Sequence, residues 1–133
     1  MKITLTGEES LRLEATSGQL TIEAPTPDIQ YSPFHMLGSA LGACTLSVLH
    51  SWASNKNLVV DDLRIDVSWS FVERQHRVGS MKVILAWPSL SAELWPRAIR
   101  AANLCGVHNT LTHPPEITVE ADGAESAPME ASA

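Results

Sequence analysis

Cys44 and Cys105 are the residues of this 133-residue chain best suited to chemistry. A thiolate attacks electrophilic oxygen or sulfur, but a cysteine with an ordinary pKa of about 8.5 is only a few per cent ionised near neutral pH, so its surroundings decide what it can do. Cys44 falls on an apolar stripe, where cysteine also serves as a small packed hydrophobe. Cys105 precedes Gly106 at what reads as the last turn of a helix, whose carbonyl end disfavours a thiolate. It is expected to be a poor primary nucleophile and an adequate resolving partner for an oxidised sulfur. His108 and His113 follow closely, and Cys105-x-x-His108 could be half of a zinc site. No CxxC or HxxxH accompanies it, however, and a closed site takes four ligands. His35 and His50 read as ordinary polar contacts. No metal and no cofactor are expected, for the chain has no glycine-rich phosphate loop, nucleophile elbow or dinucleotide fingerprint.

The elements that must position these residues follow from periodicity. Ile3 and Leu5, then Leu11, Leu13 and Ala15, alternate with polar residues around Gly7 and Glu8, which predicts a hairpin. Gln19 to Ala24 reads as a third strand, and Pro25, Pro27 and Asp28 as a loop. Ser32-Pro33 is a helix start, a capping hydroxyl followed by a proline whose missing N–H costs nothing there. A long helix is predicted from Pro33 to about Asn55. Its apolar stripe is Phe34, Leu37, Leu41, Cys44, Val48 and Trp52, widened by a second row of Ala40, Ala43, Leu46 and Leu49. Gly38 and Gly42 stand four apart, as do Ser39 and Ala43, and such small-residue ridges admit close packing of another backbone. Leu63 to Phe71 alternates as a half-buried strand. Glu73 to Ser80 makes a turn, and Met81 to Trp87 returns as its partner. Ser91 is expected to cap a second helix over 92–104, kinked at Pro96 and ended by Cys105-Gly106. Pro114-Pro115 precedes a last strand, Glu116 to Glu120. The four tryptophans, Trp52, Trp69, Trp87 and Trp95, read as core and interface residues.

Composition narrows the function. Nine Lys+Arg against fifteen Asp+Glu leave a net charge of −6, which argues against nucleic acid as a partner because a grip on phosphates needs clustered cations. Residues 31–55 carry no Asp, Glu, Lys or Arg, yet they include two histidines, five serines and two glycines. Their apolar runs fall far short of the ~20 residues a bilayer core demands, so no membrane span is expected. The start of the chain lacks an apolar leader region, and two cysteines are too few for a secreted disulfide scaffold, so a cytoplasmic location is expected. Residues 1–120 read as one α+β domain. The Ala/Glu/Ser/Pro-rich 121–133 reads as a disordered tail.

Two motifs carry a resemblance. The run from Ser32 to Thr45, SPFHMLGSALGACT, resembles the first cysteine helix of the OsmC/Ohr family. Ala101 to Leu111, AANLCGVHNTL, resembles its second cysteine motif, and Glu116-Ile117-Thr118-Val119 its closing strand. The resemblance covers roughly residues 1–120. It implies an OsmC-like fold, with antiparallel sheets packed around a long central helix, in an intertwined homodimer with cysteine pockets at the subunit interface. It also implies a stress-response peroxidase that takes a small-molecule hydroperoxide and a thiol reductant, with Cys44 as the peroxidatic thiol and Cys105 as the resolving one. Family peroxidases ionise the first cysteine with an arginine from the N-terminal strands, held by a glutamate just after the helix-start proline. Here that glutamate position holds Phe34 or, in a related register, His35, and the arginine's neighbourhood offers only Arg12. The resemblance therefore supports a peroxidase in which Arg12, His35 or His108 supplies the positive charge. A non-peroxidatic member that binds a small molecule in the interface pocket is the alternative, and metal-dependent or purely structural roles stand behind both.

Overall fold

The computed structural model describes residues 2–7, 10–14 and 33–123. The chain divides into two compact units, Met1–Tyr31 and Ser32–Ala133. In the first, β1 (Lys2–Gly7) pairs antiparallel with β2 (Ser10–Glu14), with Ile3 opposite Leu13 and Leu5 opposite Leu11, as the alternation predicts. The strand expected at 19–24, the loop at 25–28 and Ser32 lie outside the described residues, as does most of the predicted tail, 124–133.

The second unit begins with α1 (Pro33–Ser54), which ends one residue before the predicted boundary. Its buried line is Gly38, Leu41, Thr45, Leu49 and Ala53, spaced by three and then by fours. The predicted stripe flanks this line: Phe34, Leu37, Cys44, Val48 and Trp52 are half-buried. The predicted second row fails in part, because Ala40, Ala43 and Leu46 are exposed and only Leu49 is covered. The physical reason is the width of the covering layer. β3 (Arg64–Phe71) and β4 (Val78–Ala86) make a two-stranded antiparallel sheet, and α1 packs against β3, so the far side of the helix meets nothing within the described residues.

The inner face of that sheet pairs Ile65 with Leu85, Val67 with Val83 and Trp69 with Met81, all half-buried, while Arg64, Asp66, Ser68 and Lys82 face outward. Close approach of helix to strand depends on glycine. A Cβ added at Gly38 would lie 2.7 Å from Cζ3 of Trp69, and one at Gly42 would lie 3.2 Å from Cγ2 of Val67. The four-residue glycine spacing noted in the sequence is thus the seat of β3.

Around the C-terminal half of α1, Leu49, Ala53, Trp87, Leu90, Ala98 and Ala101 form the buried core. Two polar clamps hold the loop before β3 against the end of β4. The Trp87 indole donates to the Val59 carbonyl at 2.9 Å, and the Asp62 carboxylate accepts from the Ser89 N–H at 2.6 Å and its hydroxyl at 2.7 Å. The Ser89 hydroxyl is the main reason the Asp62 carboxyl lies below its ordinary range.

The single helix predicted over 92–104 is three pieces. A 3-10 turn (Ala92–Leu94) leads into α2 (Trp95–Ala102), and α3 (Gly106–Thr112) follows. Ser91 stands at the cap of the turn but makes no side-chain capping bond. Pro96 occupies the first turn of α2, where its missing N–H is harmless, so it starts the helix rather than kinking it. Gly106 opens α3 instead of ending α2. The predicted strand 116–120 is also absent: with no partner strand among the described residues, Ile117 and Val119 are 81% and 83% exposed. The α+β class stands, as helices beside antiparallel strand pairs. No described helix is long and apolar enough to cross a membrane.

Gly38→Ala should lower the melting temperature. Overpacking of the Trp69 ring costs about 1–3 kcal/mol, and the gain in helix propensity offsets only about 1 kcal/mol. Gly42→Ala, with a looser contact, should melt above Gly38→Ala; thermal unfolding of the two variants checks the order.

Candidate functional site

The α2–α3 junction determines the site. After Ala102 the chain tightens through hydrogen bonds from Asn103 N–H to Ile99, Leu104 N–H to Ala101 and Cys105 N–H to Ala102. Cys105 then turns out of the helical conformation, with φ −59° and ψ 128°, and becomes the N-cap of α3. Its Sγ accepts the His108 N–H at 3.4 Å, as a capping side chain does for an orphan donor of a first turn. This reverses the expectation that Cys105 sits in the carbonyl field of a helix end. It faces N–H groups instead.

Cys105 is 0% exposed, and Cys44 of α1 is half-buried. Burial pushes the Cys105 thiol up. The hydrogen bond from Cys44, the His108 N–H, the Thr45 hydroxyl and the Val107 N–H together outweigh burial and hold it below the ordinary thiol value. Thr45, next to Cys44 and 3% exposed, is a buried polar residue in the core line of α1, and its hydroxyl also donates to the Leu41 carbonyl at 2.8 Å. Sequence reasoning did not single out Thr45 as a buried polar residue of α1 that borders a cleft. The available signal was a hydroxyl at helical spacing between Leu41 and Leu49.

A cleft of about 670 Å³ opens beside this group. Phe34, Leu37 and Leu41 line it from α1, and Met81, Val83 and Leu85 from β4. Thr45 and His108 stand in its wall, as do His76 and Arg77 from the β3–β4 turn; among the described residues no Asp or Glu lines it, and neither cysteine does. The predicted site residues separate accordingly. Cys44, Cys105 and the backbone of His108 meet, and the half-buried His108 side chain borders the cleft. Phe34 reaches the cleft and packs edge-on against Phe71 at 4.9 Å. His35 lies edge-on to the Trp69 ring at 5.1 Å, on the side of the sheet. The first turn of α1 has no acidic residue. Arg12 belongs to β2, opposite Thr4. His113 engages Thr112 and the Asn109 carbonyl at the end of α3, and His50 is exposed. Among the described residues no three His, Cys, Asp or Glu side chains gather to hold a metal.

The sequence pattern that defines OsmC-like proteins matches residues 25–120, which span both cysteine helices. The chain belongs to the OsmC-like family. Its fold is also similar to that of a protein from Psychrobacter arcticus 273-4 named for an osmotic stress induced and detoxification response. The two superpose with a TM-score of 0.57 at 16% identity, over 63% of this chain and 62% of that one. At that identity the likeness speaks for the OsmC-like fold alone, and the match spans less than two thirds of the relative. No curated protein matches the OsmC-like chain in sequence.

Proposed function

We propose that this OsmC-like protein is a thiol-dependent peroxidase that reduces organic hydroperoxides through Cys44 and Cys105. The observation that carries this reading is that two free thiols stand on separate helices of one unit, with Cys44 among the groups that lower the Cys105 thiol, near a cleft whose described lining contains no Asp or Glu. Cys44 is the more accessible sulfur and takes the role of nucleophile. Its thiolate attacks the outer peroxide oxygen, the O–O bond breaks, and the alcohol leaves with a proton, which gives a sulfenic acid at Cys44. Cys105 then attacks that sulfur, the S–O bond breaks, hydroxide leaves as water after taking a proton, and a disulfide forms. An external dithiol restores both thiols.

The family's arginine and glutamate dyad is not needed in its usual form. The donors at the start of α3 favour the thiolate of Cys105, so that sulfur is ready to attack once Cys44 has been oxidised. His108, in the cleft wall, is the source of positive charge this reading favours, and Arg12 and His35 keep supporting roles. A detoxification role in the cytoplasm, within a domain of residues 1–120, is the setting this chemistry suits. It also agrees with the name of the Psychrobacter arcticus relative.

The alternative is a small-molecule binding protein in which the cysteines are packed thiols. It is favoured by the apolar cleft and by Phe34 in place of the family carboxylate. The purified protein, given cumene hydroperoxide and a dithiol, should consume peroxide catalytically. Cys44→Ser should fall to background, and Cys105→Ser, assayed without the dithiol, should consume about one equivalent and form no intramolecular disulfide, since its sulfenic acid lacks the resolving cysteine. Equal consumption by the protein and Cys44→Ser would favour the binding reading.

We further propose that the protein is a homodimer through the uncovered face of α1. Ala40, Ala43 and Leu46, the last 43% exposed, present small and apolar surface that a second copy would cover. Light scattering should give twice the chain mass, and a monomer across a broad concentration range would refute it.

A further inference from the structure

The cleft carries a charge pattern that the two-thiol scheme does not use. A net charge of −6 repels anions from the chain as a whole, yet the described lining of this cleft holds Arg77, His76 and His108 and no Asp or Glu. Its length follows from α1. Phe34, Leu37, Leu41 and Thr45 all line it, and the rise of the helix from Phe34 to Thr45 is about 16 Å. Met81, Val83 and Leu85 of β4 line it as well, so its walls are mostly apolar.

The β3–β4 turn brings Arg77 and His76 to the Phe34 end, and the turn is braced. The Val72 N–H donates to the Arg77 carbonyl at 3.0 Å, and the Gln75 N–H donates to the Val72 carbonyl at 3.2 Å. Gly79 packs so closely that an added Cβ would lie 2.6 Å from Cγ2 of Val72. His76 stacks on Phe71 with ring centroids 6.3 Å apart, and it lies edge-on to Phe34 at 6.1 Å. Arg77 Nε donates to the Gln75 amide oxygen at 2.7 Å. That partner is neutral. It holds the guanidinium without cancelling its charge, and four Nη hydrogens of the fork remain for an anion.

We propose that the cleft takes an amphipathic organic acid, with its anionic group on Arg77 at the turn and its apolar body along Leu37, Leu41 and the β4 side chains. The inference deepens the proposed function and rests on it only in taking the cleft as the seat of the small molecule. The two parts of such a ligand do different work. Burial of the apolar body supplies affinity but no direction. The anion supplies direction, because a head held at the turn sends the body towards Thr45, the sequence neighbour of Cys44. Phe34 and His76 offer ring surface to the part of the body next to the acid. Arg77 is exposed, so its grip is modest and falls with salt.

Two fluorescent probes, anilinonaphthalenesulfonate and phenylnaphthylamine, test this directly, since they share one apolar body and differ by the sulfonate. At low salt the unaltered protein should bind the sulfonate more tightly than the neutral probe, and added salt should narrow the gap. Arg77→Gln should weaken the sulfonate about fivefold, the size of one exposed charge contact, and leave the neutral probe unchanged. Arg77→Lys, which keeps the charge, should retain most of the affinity. Arg64→Gln, which alters an outward-facing cation of β3 that does not line the cleft, should bind both probes as the unaltered protein does. Binding of neither probe, a sulfonate affinity that Arg77→Gln does not move, or an equal loss of both probes in that variant overturns the proposal. Hydroperoxide consumption by the unaltered protein is read separately: its absence would refute the peroxidase and leave the probe result standing.

Discussion

The architecture of the site hangs on one local event, the break between α2 and α3 at Cys105. Had the helix continued, the Cys105 sulfur would have lain in the negative field of the α2 carbonyls. The break instead turns the residue into the cap of a new helix, and its sulfur fills the place that serine or aspartate usually takes, satisfying donors that burial would leave costly. The remainder of the unit brings Cys44 to that sulfur. Gly38 and Gly42 let α1 sit close on β3, and the line Leu41, Thr45, Leu49 and Ala53 fixes its rotation.

Ionisation of a buried sulfur is ordinarily resisted by the loss of water. In this chain the described donors around Cys105 are two backbone N–H groups, a hydroxyl and a second thiol, all neutral. Each hydrogen bond to a charged group is worth roughly 1.5–3 kcal/mol before the cost of desolvation, so several together can outweigh burial without an ion pair.

Much of this was legible in the sequence. The β1–β2 hairpin, the extent of α1, the β3–β4 pair and the glycine spacing all follow from periodicity, because each depends on neighbours close in sequence or on steric space alone. The two cysteine motifs carried the family. What periodicity could not read was covering and restart. Ala40, Ala43 and Leu46 look like core because a helical pattern records apolar character, not how many strands lie above it. Cys105-Gly106 reads as a helix end because glycine is common there, and only the turn of the backbone at Cys105 shows that a helix begins. Ile117 and Val119 alternate like a strand, but a strand needs a partner edge, which no local pattern supplies.

The central claim is that Cys44 and Cys105 act on each other within one chain. Peptide mapping of the protein treated with one equivalent of organic hydroperoxide tests it most directly. The account predicts a Cys44–Cys105 cross-linked peptide pair, abolished by either serine substitution and restored to free thiols by a dithiol. Cys44 left unmodified, or carried to sulfinic acid while Cys105 stays free, would contradict it.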